Sequence, residues 1–217
     1  MLQALNVRKS YDTLEVLRGV SAEIHEAEIV SIVGSSGAGK STLLHILGTL
    51  DNPDSGQVIF DGQDIAKLSR AELAKFRNRH LGFIFQFHNL LPEFTAMENV
   101  MLPGLLAGRP EKTVKERAID LLTMLNLSHR LNHKPSEMSG GEQQRVSVCR
   151  ALINSPKIVF ADEPSGNLDS KNARELHDIF FRLRDHMKQT FVIVTHNDEL
   201  AGMADRKIVM RDGVLAE

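Results

Sequence analysis

The sequence predicts an α/β protein with a mostly parallel sheet, a small antiparallel layer beside it, and an inserted helical part over approximately 87–150. Three observations point there. Lys157-Ile158-Val159-Phe160-Ala161 and Thr190-Phe191-Val192-Ile193-Val194 are unalternating apolar runs, the mark of parallel strands covered on both faces. Glu28–Val33 is a third such run, and it leads through a glycine-rich loop into a helix over 41–48. Residues 97–130 are rich in helix formers and break once, near Gly108-Arg109-Pro110.

The remaining elements follow in order. Residues 2–8 and 20–25 have strand character, and Gly56–Phe60 runs into the turn Asp61-Gly62, which together give the antiparallel layer. Leu81–Phe85 is a core strand ending at Gln86. Val146-Ser147-Val148-Cys149 lies on a helix, where a lone cysteine is expected as a small buried hydrophobe rather than a reactive thiol. No repeat, low-complexity tract or linker divides the chain, so residues 1–217 are expected to form one domain.

Composition narrows the classes. Hydrophobic residues make up 42% and charged residues 25% of 217, ordinary for a folded domain with a sizeable core. A formal net charge of −2 gives no electrostatic case for nucleic acid or anionic lipid as the main partner. One cysteine forbids an internal disulfide and suits a reducing compartment. No apolar run approaches the roughly 18 residues that span a bilayer. The N-terminal stretch Met1-Leu2-Gln3-Ala4-Leu5-Asn6 lacks the basic-then-apolar pattern of a signal peptide. The expected location is therefore cytoplasmic.

Gly34-Ser35-Ser36-Gly37-Ala38-Gly39-Lys40-Ser41, followed by Thr42, fits the phosphate-loop pattern G-x-x-x-x-G-K-[ST]. Glycines let successive backbone N–H groups converge on phosphate oxygens, and the following helix adds its positive end. Lys40 can reach β- and γ-phosphates, and the Ser41 hydroxyl can ligate Mg²⁺. The strand before and the helix after supply the context this motif requires.

Ile158–Ala161 then delivers Asp162 and Glu163 to the tip of a buried strand. An acidic pair after a strand is otherwise an exposed turn. In an open parallel sheet, however, ligands sit outside the carboxyl ends of the strands, facing the phosphate loop. Asp162 is placed to hold Mg²⁺ and Glu163 to polarise an attacking water. His196 ends the strand Phe191–Thr195, where it could hydrogen-bond a γ-phosphate and hold the Glu163–water geometry. His129 and His133 lie in a polar stretch too thin for a metal site.

The ordered set Tyr11, Gly34–Thr42, Gln86, Ser139-Gly140-Gly141-Glu142-Gln143-Gln144-Arg145, Ile158–Glu163, Leu168-Asp169 and His196 resembles the ATP-binding subunits of ABC transporters. The resemblance covers the chain from Tyr11 onward, and the Ser139–Arg145 segment is its most specific part. It implies a P-loop, RecA-like core, ATP hydrolysis, and ATP and Mg²⁺ as ligands. Tyr11 then matches the aromatic that stacks on adenine. Gln86 matches the glutamine that senses γ-phosphate and Mg²⁺ and touches the membrane subunit, and Asp169 matches the aspartate of the loop crossing the dimer interface. Family members sandwich two ATPs between head-to-tail subunits, so Ser139, Gly140, Gly141 and the helix near Glu142 would face the nucleotide of the other copy. Met138 departs from the usual leucine, an exchange of similar volume. The implied partners are integral membrane permease subunits, at the cytoplasmic face of a bacterial inner membrane.

Phe87–Pro103 is similar to the branch that contains lipoprotein-releasing, macrolide-exporting and cell-division subunits. Its run Phe-His-x-Leu-Leu-Pro-x-Phe-Thr most resembles lipoprotein-releasing systems of Gram-negative bacteria. In this segment Phe87, Leu90, Leu91, Phe94 and Met97 exceed what a free loop needs; some must pack beneath the helical part, and others could receive a partner helix. A soluble ABC protein of translation or DNA repair would share the nucleotide motifs. Such proteins usually carry two ATPase halves or a long coiled-coil insertion, and this chain has neither. A small P-loop kinase has no use for Ser139–Arg145.

Overall fold

The structure, a computed structural model, describes residues 1–216. The chain opens with β1 (Leu2–Tyr11), turns at Asp12-Thr13 and returns as β2 (Leu14–Ile24). Asp12 adopts the left-handed backbone that such a tight hairpin demands. β1 runs past the expected 2–8 and β2 begins well before the expected 20–25, through ladder residues that, apart from buried Leu17, are not fully buried.

After β3 (Ile29–Gly34) and α1 (Lys40–Leu47), β4 (Ser55–Phe60) and the short β5 (Gln63–Asp64) complete an antiparallel sheet ordered β2-β1-β4-β5. The chain continues through α2 (Arg70–His80), β6 (Leu81–Phe85), α3 (Ala96–Leu106), α4 (Glu111–Met124) and α5 (Gly140–Leu152). It closes with β7 (Ile158–Asp162), α6 (Ser170–Met187), β8 (Thr190–Val194), α7 (Asp198–Met203), β9 (Arg206–Arg211) and β10 (Val214–Ala216). The second sheet has the order β10-β9-β3-β8-β7-β6, parallel throughout except for the β9–β10 hairpin. The break between α3 and α4 falls where Gly108 and Pro110 place it.

Two apolar cores account for the unalternating strands. Val159, Ala161, Phe191 and Ile193 face a core shared with α3, α4, α5 and α6, whereas Ile158, Phe160, Val192 and Val194 face one shared with α1 and the antiparallel sheet. Successive residues point to opposite faces, so both parities must be apolar when both faces are covered. Cys149 is fully buried in the first core, and burial pushes its thiol up, as expected for an inert hydrophobe. Met138 is buried there as well.

The parallel order β3-β8-β7-β6 sets the carboxyl ends of these strands side by side. Ser35, Thr195, Glu163 and Gln86 follow directly from them. No helix among the described residues is long and apolar enough to cross a membrane.

Candidate active site

The loop from Gly34 to Gly39 links β3 to α1 and is folded around Lys40. The Lys40 ammonium donates to the carbonyls of Gly34 at 3.0 Å and Ser35 at 2.9 Å. Gly37 has a φ of 80°, and a Cβ there would meet no atom within 4 Å. The loop is thus open on that side, as a phosphate cradle has to be. The N-terminal residue of α1 is capped by no side chain, which leaves its first N–H groups for an anion.

Ser41, the second residue of α1, donates its hydroxyl to Asp162 Oδ1 at 3.0 Å. The pair brings together two hard oxygen donors from α1 and β7. Burial raises the Asp162 pKa, opposed by the Ser41 bond and by His45, whose Nε2 lies 3.6 Å from Oδ2. A cation here would relieve that penalty. Among the described residues no group of three or more His, Cys, Asp or Glu could hold a metal alone. The donor set fits Mg²⁺, which takes one or two protein oxygens and completes its shell with phosphate and water.

Glu163 sits one residue beyond, with a left-handed φ of 47°. Its N–H donates to the Val194 carbonyl, anchoring the turn to β8. Its Oε2 lies 2.8 Å from His196 Nδ1 and accepts the His196 backbone N–H at 3.3 Å. The left-handed turn sets the Glu163 carboxylate against His196, whereas Asp162 lies against Ser41.

Gln86 closes the row of strand ends. Its Nε2 donates to Asn167 Oδ1 at 2.9 Å, and Asn167 Nδ2 donates back to the Gln86 carbonyl at 3.2 Å. Asp169 caps α6 by accepting from the Asn172 N–H, which holds its side chain at the protein surface.

Tyr11 ends β1. Its hydroxyl donates to Asp51 Oδ2 at 2.6 Å, and Lys9 Nζ lies 5.2 Å from the ring centroid. The Asp51 bond is the main cause of its raised pKa, and a contact with Thr42 sets it beside the phosphate loop. The ring is 45% exposed.

The segment Ser139–Arg145 lies at the start of α5. Ser139 caps the helix with Glu142 in a reciprocal box: Ser139 Oγ accepts the Glu142 N–H, and Glu142 Oε2 accepts both Ser139 N–H and Oγ–H. The Arg130 guanidinium donates to Glu142 Oε1 at 2.8 Å. Burial would raise the Glu142 pKa, but the Ser139 backbone, Arg130 and Ser139 hydroxyl bonds outweigh it and hold the group at about 2. Ser139 and Gly140 are exposed at the tip. At buried Gly141 a Cβ would stand 2.1 Å from Asn172 Oδ1, so glycine lets α5 meet the start of α6 without displacing the Asn172 side chain.

Several residues outside the sequence motifs hold this arrangement. Gln144 Nε2 donates to the carbonyls of Phe85 and Pro164, tying α5 to the residues just before Gln86 and just after Glu163. Asn99 binds the backbone of Leu91, Phe94 and Thr95. The apolar residues of the 87–97 segment divide: Leu90 and Met97 pack against the core, while Phe87, Leu91 and Phe94 are exposed. Leu90 is thus divided between the core and the surface. Only Gln144, inside the Ser139–Arg145 run, carried a sequence signal of its own.

Strand ends converging on a phosphate loop, with one acid beside the loop's serine and another beside a histidine, define a P-loop nucleoside triphosphatase. The comparisons agree and go further. Residues 17–166 match the family model described as ABC transporter, and the chain belongs to that family of ATPases. It is 59% identical to the lipoprotein-releasing system ATP-binding protein LolD of Cytophaga hutchinsonii, over 99% of this chain and 98% of that one. Identity to the protein of that name from Porphyromonas gingivalis is 60%, over 99% and 98%. The dimeric structure of a bacterial ABC transporter cassette superposes with a TM-score of 0.92 at 40% identity, covering 100% of this chain and 97% of that one. A dimeric post-hydrolysis cassette bound to ADP and phosphate gives a TM-score of 0.91, with the same identity and coverage.

Proposed function

We propose that this ATPase powers the release of lipoproteins from the bacterial inner membrane toward the outer membrane. The observation that supports this reading is the near-end-to-end likeness to two lipoprotein-releasing ATP-binding proteins. The ATPase works from the cytoplasmic face, peripheral to permease subunits embedded in the membrane.

In the proposed mechanism, Gly34–Thr42 cradle the phosphates, Lys40 balances their charge and Tyr11 stacks on adenine. Ser41, Asp162 and Gln86 would hold Mg²⁺, which would supply charge neutralisation at the phosphates. Glu163 accepts the proton of the attacking water as its oxygen bonds the γ-phosphorus and the bond to ADP breaks. His196, 2.8 Å from that carboxylate, orients it and contacts the γ-phosphate. Ser139, Gly140, Gly141 and the Glu142-capped start of α5 reach the ATP held by a second copy. Each site is complete only in the dimer, with Asp169 crossing between the subunits.

The permease is proposed to dock beside Gln86. A cleft of about 400 Å³ lies between α2, β6, α3 and α5, lined by Arg77, Phe83, Phe85, Pro103 and Arg150 among others, and by no acidic residue. Exposed Phe87, Leu91 and Phe94 extend the apolar surface of the same segment.

Depletion of the protein in its host, followed by membrane fractionation, tests the cargo. Outer-membrane lipoproteins should accumulate at the inner membrane. Normal sorting would instead favour a macrolide-type exporter or a cell-division complex.

A further inference from the structure

Arg150, in the last turn of α5, has an unusual set of partners. Its Nη2 donates to the His88 carbonyl at 2.7 Å and its Nη1 to the Asn89 carbonyl at 2.6 Å. Burial lowers its pKa and no carboxylate offsets this, so the two carbonyls alone compensate the cation. Both residues it holds are left-handed, with φ of 58° at His88 and 50° at Asn89. Two consecutive non-glycine residues in that region are strained, and the ring nitrogen Nε2 of His88 is buried without a partner. Such a turn persists only if something outside it holds it. This turn begins two residues after Gln86.

We propose that Arg150 is the positioning residue that holds the Gln86 loop in place and couples it to α5. Gln144 Nε2, bound to the Phe85 carbonyl, is the second tether from the same helix. The start of α5 carries Ser139 and its end carries Arg150, about 16 Å apart at 1.5 Å per residue. One stiff element thus joins the tip proposed to face the second copy's ATP to the loop that reads the chain's own. The guanidinium fork matters because it serves two carbonyls at once; a lysine can serve one well. The inference rests on the role proposed for Gln86.

The test compares the full-length chain with Arg150→Lys, Arg150→Met and Gln86→Ala. Hydrogen–deuterium exchange should rise at least tenfold in peptides covering 86–90 of Arg150→Met. Peptides covering 91–95, which Asn99 secures, and 140–149 should stay within twofold. Arg150→Lys should fall between, and its retained protection of α5 guards against a variant that merely fails to fold. Binding of a fluorescent ATP analogue in EDTA should be unchanged in all three, while the Mg²⁺ concentration that half-restores tight binding should rise several-fold in Arg150→Met and Gln86→Ala alike. A shift in Gln86→Ala without one in Arg150→Met overturns the proposal. No shift in Gln86→Ala overturns the role of Gln86 itself. Equal loss of protection across 86–95 and α5 would make Arg150 a general stabiliser and overturn its positioning role.

Discussion

Glu163 and His196 are 33 residues apart in the chain and 2.8 Å apart in space because β7 and β8 are neighbours with their ends in register. Glu163→Gln keeps the shape and removes the proposed base. Turnover should fall by about 10²–10⁴-fold while ATP affinity is retained, as measured by phosphate release and equilibrium binding. Lys40→Ala should show the opposite pattern, with ATP affinity weakened by about 10–100-fold through loss of a charge-assisted contact. Glu142 offers a pH test. Its folded pKa of about 2 lies below the ordinary 4.5, so its ionised form stabilises the fold fully above about pH 4.5, and that contribution is lost as pH falls through 2. The gap in thermal midpoint between the native chain and Glu142→Gln should be widest near neutrality and close between pH 4.5 and 2. A gap that does not change over that range would mean the carboxylate is not held as described. The strand-end acids and His196 were legible because parallel-sheet logic places them. Arg130 and Arg150 were not, since a surface arginine and a clamping arginine look alike until the fold brings their acceptors near.

At the scale of elements, α5 does the most joining. Its start is fixed by the Ser139–Glu142 box and by the close approach of α6 at Gly141. Gly141→Ala would drive a methyl group into Asn172 and should cost about 1–3 kcal/mol in a denaturant titration. A cost within error of zero would show that α6 yields freely there. The buried strands were legible because covering both faces leaves a run no alternation. Helix α2 was harder to see: none of its residues is fully buried, its core contact being the partly buried Phe76 against Phe60, and Ser69 and Glu72 mark its start. In α6, Ala173, Leu176, Phe180 and Leu183 recur at helical spacing and are buried, a pattern that the nearby Asp169 motif overshadowed. The β1–β2 hairpin was underestimated because exposed ladder residues lack hydrophobic alternation.

At the scale of the whole molecule, the strand ends are proposed to form one half of a site and the tip of α5, exposed at Ser139 and Gly140, the other half. The likeness to dimeric cassettes is the reason for expecting two copies to close on two ATPs. The exposed surface near Gln86 is the proposed output. Phe87→Asp or Phe94→Asp should leave hydrolysis by the isolated chain within about twofold, because both side chains lie outside the core, yet abolish lipoprotein release in complemented cells. The sequence revealed the dimer only through its likeness to a family, since no spacing rule says that a loop is completed by another chain. The most direct test is size-exclusion chromatography with light scattering on Glu163→Gln, with and without ATP. The account predicts a monomer that becomes a dimer with ATP, and a double variant with Ser139→Arg that still binds ATP but stays monomeric. A double variant that dimerises as readily as Glu163→Gln would contradict the placement of Ser139 across the interface.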